Sequence, residues 1–540
     1  MNTDFSDIIN LQKREIIAFL SGITEPKILV FDMEARKLFY KFFTTSEIKQ
    51  YNIMHLYATT DYYSESHRIL NVYYIYILLA NHDSMKFMFK DKKFLTNKKN
   101  KHIICFLEKR NISLEYEYQY IWDHVEIKEF ILFMHVIEND CIDMNITESL
   151  SKLFIDNNFK TQKHIAMCIE QIQRIYGIIP TIVSFGSISG EIKELIESDN
   201  KVNQYTATAS SFDKLILIDR TVDLVTPCLT QLSYSGIIDE YFEIKNNSIV
   251  IDKQRIVLNA DSYFYGDVRD KSINCVSELL RNYKANNEPA FRYCYKDIDA
   301  ETTAVLAQMT NAYLEKKDSL EIHSTICSKL GTIIKDNYFC NTVDIEQLIL
   351  VTEHNMQDNI VSDIMDKKYY KDIELQIIDY IDVGIREKRP IHIVLCCLSL
   401  YCQLFSKKTL NYSKIIEYIS DSYNCYPLIN YMQRLGMVGT KIREFAIDEH
   451  EQYNFVELDK KMNLVTTNEK AVSELSSLYQ VYVPITVRLI EREKVGRTLV
   501  CFVGGCNYTE IGMCRLLGDI VVLSTNIYNR KQFIDSIRHM

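Results

Sequence analysis

The sequence predicts α/β architecture at both ends of the chain and all-α architecture between them. Three observations predict it. Over residues 1–240, apolar runs of strand length alternate with stretches of helical period, the pattern of a parallel sheet covered by helices. From about 241 to 490 the period is almost entirely helical. From Thr498 the strand–helix alternation returns. A chain of 540 residues has room for more than one core.

Leu11–Leu20 repeats its apolar residues at helical spacing. Ile28–Phe31, Ile53–Tyr57, Val72–Leu79 and His102–Phe106 read as strands, with Ala35–Tyr51 helical between the first two. They place a first α/β domain at residues 1–127. Within it, Lys90–His102 is a basic run, read either as a solvated loop or as a contact for anionic lipid. Gln162–Tyr176 is a helix with Ile165, Ile169, Ile172 and Ile175 on one side. Ile178–Phe185 is a strand, and Gly186–Gly190 turns it into a helix at Glu191–Ile196. That turn has neither GxGxxG nor a P-loop Lys-Ser/Thr, so it reads as structural.

Leu215–Ile218 is apolar on both faces, as a buried parallel strand requires. Asp219 and Arg220 fall at its C-terminal end, Pro227 stops the strand, and a helix is expected from Thr230 through Tyr234 and Ile238. A β-prone link, Ile249–Leu258, precedes the helical middle. Helices are expected at Ala304–Leu314, Leu320–Lys335, Asp344–Val351, Ile373–Ile385, Ile391–Phe405 and Tyr412–Tyr418. At the C-terminus come strand Thr498–Val503, a Gly504-Gly505 turn, helix Tyr508–Leu517, strand Ile520–Ser524 and helix Arg530–Ile537.

Composition narrows the function. A net charge of −10 argues against general nucleic-acid binding. The fifteen cysteines follow no secretory signal and show no CxxC pairing, so they read as reduced thiols rather than disulfides or a zinc site. The longest apolar run, Ile391–Phe405, is shorter than the roughly 20 residues a membrane helix needs. Any membrane contact is therefore expected to be peripheral. Neither metal, cofactor nor small-molecule substrate is expected. The one catalytic temptation is Asp219, at a strand end where aspartyl phosphatases keep a nucleophile. Such enzymes need a second Asp two residues on, and Thr221 stands there. A phosphatase-like hydrolase with a helical cap is thus the alternative function.

The stretch Asp219, Arg220, Asp223, Thr226, Pro227, Thr230, Gln231, Tyr234, Gly236, Asp239 and Glu240 resembles the signature of the SM family, Sec-one/Munc-eighteen proteins that clasp SNAREs during membrane fusion. A second stretch, Phe502–Leu517, resembles the family's C-terminal motif through Gly504, Gly505, Tyr508, Glu510 and Arg515. Residues 260–270, 395–410 and 422–438 resemble the vacuolar protein sorting thirty-three branch, the SM subunit of the HOPS and CORVET tethers.

The resemblance implies an arch-shaped three-domain fold. Domain 1 is 1–127. Domain 2 is discontinuous, 128–240 with 497–540. Inserted in it is a helical domain 3, 241–496, whose SNARE-facing part is 261–355 and tether-facing part 356–496. It implies a protein without catalytic residues that templates and protects SNARE assembly at endosomal, vacuolar or lysosomal membranes, cytoplasmic and peripherally associated. Its partners would be syntaxin-type and R-type SNAREs and a tether subunit resembling Vps-sixteen. The signature residues named above would be structural. A helical hairpin within Val305–Ser328 would hold SNAREs through Leu306, Met309, Tyr313, Lys316 and Lys317. The tether subunit would dock on Tyr423, Tyr426, Ile429 and Met432. For the last two groups, ordinary core packing is the competing reading.

Overall fold

The computed structural model describes residues 5–59, 71–79, 84–85, 101–107, 125–130, 132, 134–146, 148–202, 210–245, 247–258, 260, 262–286, 300–357, 365–405, 412–439, 445–448, 451–453, 478–479 and 482–537. The chain divides into two compact units, Met1–Asn145 and Ile146–Met540.

The first unit holds a five-stranded sheet in the order β2-β1-β3-β4-β5: β1 (Lys27–Phe31), β2 (Ile53–Ala58), β3 (Tyr73–Leu78), β4 (Lys101–Phe106) and β5 (Glu126–Glu129). Every pairing is parallel. The central strands β1, β3 and β4 are buried along nearly their whole length, which explains their unbroken apolar runs. Helix α1 (Ser6–Gly22) precedes the sheet. The stretch expected as one helix over Ala35–Tyr51 is two, α2 (Met33–Phe42) and α3 (Thr45–Lys49). Thr44 causes the break. Its hydroxyl accepts from the Glu47 N–H while the Glu47 carboxylate accepts from the Thr44 N–H, a capping box that starts a new helix. The expected boundary at residue 127 falls inside β5. The first unit continues through an antiparallel hairpin, β6 (His135–Glu138) and β7 (Cys141–Asp143), and Gln12 on α1 binds both N–H and C=O of Met134. Of the basic run Lys90–His102, only Lys101 and His102 lie within the described residues.

The second unit is built on four parallel strands, ordered β15-β14-β9-β8: β8 (Thr181–Phe185), β9 (Lys214–Asp219), β14 (Thr498–Val503) and β15 (Ile520–Ser524). Strands β9 and β14 are buried at every residue. Between β9 and β14 in sequence lie nearly three hundred residues, yet Leu215 pairs with Leu499 and Asp219 with Val503. Helices α4 (Ser149–Phe154), α5 (Phe159–Tyr176) and α6 (Ser187–Val202) precede β9, and α6 packs on both β8 and β9.

After β9 come two single 3₁₀ turns and α7 (Tyr234–Phe242). This helix starts four residues later than expected. Leu232 is tied by main-chain hydrogen bonds to Leu478 and Ile273, and Ser233 bridges to Ser272, so the chain stays extended until Ser233 caps the helix by accepting from the Gly236 N–H. The β-prone link is a hairpin, β10 (Ser248–Ile251) with β11 (Gln254–Val257). The helices that follow are α8 (Tyr265–Val268), α9 (Ile273–Asn286), α10 (Ala300–Ile334), α11 (Asn337–Gln357), α12 (Met365–Arg386), α13 (Ile391–Phe405), α14 (Tyr412–Tyr423) and α15 (Tyr426–Arg434). A two-stranded hairpin, β12 (Phe445–Asp448) with β13 (Glu451–Tyr453), follows them. The chain closes with α16 (Ile485–Glu493), α17 (Tyr508–Leu516) and α18 (Arg530–Ile537) around β14 and β15.

The hairpin expected within Val305–Ser328 is absent: α10 runs unbroken for 35 residues. Its supposed turn, Glu315–Ser319, contains no Gly or Pro, its charged residues stay in water, and Lys317 pairs with Glu321 one turn on at 3.8 Å. The helix packs instead on α9 and α11. Among the described residues, no helix is long and apolar enough to cross a membrane.

Because β14 lies between β9 and β15, removing residues 497–540 strips β9 of a neighbour and bares a buried apolar edge. The truncated chain is expected in the insoluble fraction on expression. A soluble truncation with a cooperative thermal transition would contradict this account of the sheet.

Candidate functional site

Asp219, Arg220, Asp223, Gly504, Gly505 and Glu510 converge on the C-terminal ends of β9 and β14. Asp219 ends β9 with its side chain turned toward the start of α6. Its Oδ2 accepts from the Ile188 N–H at 3.0 Å, and its Oδ1 accepts from the Ser189 N–H at 2.8 Å and the Ser189 hydroxyl at 2.6 Å. A carboxylate therefore occupies the helix N-terminus where a phosphate would otherwise sit. Asp219 is fully buried, so it is closed to substrate, and the phosphatase reading loses its nucleophile.

Arg220 points the other way and is equally buried. Its Nη1 donates to both carboxylate oxygens of Glu510 at 2.8 Å, and its Nε donates to the Asp223 carbonyl at 2.9 Å. Burial opposes the charge on Arg220, but Glu510, Tyr528 and Asp223 outweigh it and hold the guanidinium pKa above its ordinary value. Glu510 also accepts from the Thr486 hydroxyl at 3.1 Å and closes a capping box with Asn507 at the start of α17. Asn507 in turn accepts from the Tyr479 hydroxyl at 2.9 Å. Asp223 folds the turn itself, accepting from the N–H groups of Val225 and Thr226 at 3.1 and 2.9 Å. Pro227 sits inside the second 3₁₀ turn, where its missing N–H costs nothing.

Gly504 and Gly505 both take φ +100, which turns β14 beside Arg220. Gly236 is glycine because of close approach: a Cβ there would stand 2.4 Å from the Thr509 hydroxyl. That contact is where α7 meets α17, with Ser233 and Thr509 hydroxyls 2.7 Å apart and Gln231 accepting from both Thr509 groups. Tyr234 is buried with its hydroxyl 3.0 Å from His323 on α10. Arg515 pairs with Asp270 at 2.9 Å.

A second buried cluster lies at the start of α18. Arg530 donates from Nε to Glu240 at 2.7 Å and from Nη1 to Glu346 and the Thr230 hydroxyl at 2.9 Å. Glu346 accepts in addition from the Thr230 N–H at 2.8 Å. One arginine thus joins the signature stretch, α11 and α18. Glu346 and Arg530 were not singled out from the sequence, because a single acid or base on an amphipathic helix carries no local signal. Asp239, beside this cluster, accepts from the Ile244 N–H through Oδ1 but has no hydrogen-bond partner for Oδ2. Burial, with Glu240 and Glu243 nearby, pushes its pKa up to about 8.

The expected SNARE-facing residues all lie on α10, where side chains are described from Tyr313 onward; those of Leu306 and Met309 fall outside the described residues. Tyr313 is half-buried, Lys316 holds its ammonium 4.7 Å from the Tyr263 ring centre, and Lys317 is exposed. Of the expected tether-facing residues, Ile429 and Met432 are buried at 2% and 0% exposure, so they belong to the core and offer no docking surface. Helix α15 turns them inward and presents Tyr426, Pro427 and Asn430 instead. Tyr426 hydrogen-bonds Asp421, and half-buried Tyr423 donates to the Arg389 carbonyl at 2.8 Å. The paired thiols Cys396 and Cys397 are buried, and burial holds both above the ordinary thiol pKa. Among the described residues no His, Cys, Asp and Glu cluster could hold a metal ion.

Two measurements check these networks. Arg220→Ala should lower stability by about 3–5 kcal/mol in denaturant titrations, because Glu510 is left buried and unpaired. The double replacement Arg220→Met with Glu510→Met should recover part of that loss, since Glu510 is no longer orphaned while Asp223 still loses its cation and Thr486 and Asn507 their acceptor; equal losses would mean the Glu510 charge does not set the cost. Asp239 behaves oppositely. Its folded pKa is raised above the ordinary value of about 4, so its contribution is fully present below that value and is lost as pH rises toward 8. Asp239→Asn keeps the Ile244 hydrogen bond and removes the titration. The variant should gain melting temperature relative to wild type between pH 5 and pH 8, and a constant difference would contradict the assignment.

Residues 27–493 match the family model described as the Sec1 family. The chain is 22% identical over 513 residues to the vacuolar protein-sorting-associated protein 33 homolog of Arabidopsis thaliana, covering 91% of this chain and 81% of that one. It is 21% identical to vacuolar protein sorting-associated protein 33B of Homo sapiens, covering 99% and 97%. Its fold matches the SM protein Vps45 in complex with the Qa SNARE Tlg2 at a TM-score of 0.57 and 13% identity, covering 98% and 97%. It matches the Unc18–syntaxin 1 complex from Monosiga brevicollis at 0.56 and 15% identity, covering 98% of each. The fold is that of the SM proteins it matches, and the chain belongs to the Sec1 family.

Proposed function

We propose that this chain is a non-enzymatic SNARE-binding protein that templates SNARE assembly at endosomal or vacuolar membranes, as a subunit of a tethering complex. Family membership supports the SNARE-binding part, since related folds are known in complex with a Qa SNARE and a syntaxin. The names of the similar proteins support the vacuolar-sorting part.

The observation that carries the reading is the outer face of α10. Leu314 and Ile322 are 46% and 38% exposed, eight residues apart on the same side of the helix, with exposed Asp318 and Glu321 among them. Lys317, one turn after Tyr313, stands beside that face. Exposed apolar side chains set among charges on a long helix fit an amphipathic SNARE helix laid alongside it. A continuous helix, rather than the expected hairpin, gives such a partner a longer uninterrupted track. For the tether subunit, the surface left by α15 centres on Tyr426, whose amphipathic ring suits a face buried only on assembly.

The test is binding of a syntaxin-type SNARE segment to the full chain. Replacing Leu314 with Ser and reversing the charges of Lys316 and Lys317 should weaken binding about tenfold at matched salt, with the melting temperature retained. Undiminished affinity would reject α10 as the SNARE-binding element.

A further inference from the structure

We propose that the first turn of α5, with Arg434 beside it, is a docking surface for an anionic phospholipid bilayer. Phe159, the first residue of α5, is 55% exposed, more than any other aromatic side chain among the described residues. Its ring lies 5.8 Å from the ammonium of Lys163, one turn along the helix, and exposed Lys160 adjoins it in sequence. The loop leading into α5 brings in a third cation. Arg434, at the end of α15, donates from Nη2 to the Ile155 carbonyl at 3.0 Å and is exposed.

The local charge pattern favours an anionic partner here. On the neighbouring turns the cations are matched: Lys152 with Glu148 at 3.6 Å, Arg174 with Glu170 at 2.7 Å, and Lys193 with Glu197 at 3.8 Å. Lys160, Lys163 and Arg434 have no such carboxylate partner among the described residues. The acid of the connecting loop, Asp156, leaves the patch with a net positive charge. A chain with a net charge of −10 is otherwise repelled by an anionic surface, so a local excess of cations decides which side can approach one.

A bilayer is the occupant that uses both features. A free phosphate would engage the lysines and leave Phe159 in water. At a membrane the ring enters the headgroup boundary while the lysine stems lie along it and keep their ammonium groups among the phosphates. Each cation near such a surface strengthens binding about fivefold, so three give a weak, reversible contact suited to supporting attachment made elsewhere. This goes beyond the SNARE reading and needs no SNARE to test.

The experiment is co-flotation of the full chain with protein-free phosphatidylcholine vesicles, with and without phosphatidylserine. The chain should float with the phosphatidylserine vesicles alone, and release as salt rises. Lys160→Glu with Lys163→Glu should cut the partition at least tenfold, and Arg434→Gln about fivefold. Phe159→Ala should cut it several-fold without altering the salt dependence. Lys329→Glu, a distant lysine paired with Asp252, serves as the control and should not matter. Equal binding to both vesicle types, binding insensitive to salt, or full binding by the Lys160/Lys163 variant each overturns the proposal. The salt titration uses the unmodified chain, so the decision survives a variant that fails to fold.

Discussion

The second unit depends on the pairing of Arg220 with Glu510. Two full charges taken out of water cost several kcal/mol each, and nothing less than near-ideal geometry offsets this. The chain brings Arg220 Nη1 to both Glu510 oxygens and Nε to the Asp223 carbonyl, leaves Nη2 at 3.8 Å from the Asp223 carboxylate without a hydrogen bond, and gives Glu510 the Thr486 hydroxyl and the Asn507 N–H as further donors. Each of those partners is itself fixed. Asp223 is locked by its own turn, and Asn507 caps α17. These contacts therefore form together only when β9, the turn after it, α16 and α17 are all in place. A buried charge pair contributes little net stability by itself; its effect is to make one arrangement of four elements far better than any partial one.

That constraint has a topological consequence. The two halves of the pair are 290 residues apart, with the helices α8–α15 between them in sequence. Closing so long a loop costs only slightly more than closing a shorter one, because the entropy grows with the logarithm of length. The intervening helices are anchored as well. Arg530 draws Glu346 of α11 against Thr230 and Glu240, and Gln403 of α13 donates to the Leu224 carbonyl. Helical middle and sheet are thus joined through the same stretch, residues 215–240, from which the resemblance to the SM family was read.

The strands and the C-terminal elements were legible because burial on both faces leaves unbroken apolar runs: Leu215–Ile218, Thr498–Val503 and Ile520–Ser524 lie where they were expected. Helix Ile391–Phe405 was legible for the same reason. Misreadings came where the deciding contact was distant. The start of α7 is delayed by hydrogen bonds to Leu478 and Ile273, and no local pattern announces them. The single helix α10 was read as two because a charged interruption in the apolar period resembles a turn, although Glu315–Ser319 has no residue that breaks a helix. Ile429 and Met432 were read as a surface because a short, richly apolar helix shows how much it buries but not in which direction.

The residues most visible in the sequence are the ones least able to meet a partner. Asp219, Arg220, Asp223, Tyr234, Gly236 and Glu510 are all buried and engaged inside the protein. Motifs of this density arise where many side chains must fit one another at fixed spacing, and buried ionic frames impose that more strictly than surfaces do. The surfaces proposed for an amphipathic helix or a lipid headgroup need only a few exposed apolar side chains and charges, such as Leu314, Ile322 and Lys317, or Phe159, Lys160 and Lys163, and no fixed motif. Recognition of the fold and recognition of the partners therefore rest on different residues. The frame is read from charge burial and spacing, and the proposed partner surfaces from exposed apolar side chains with cations beside them.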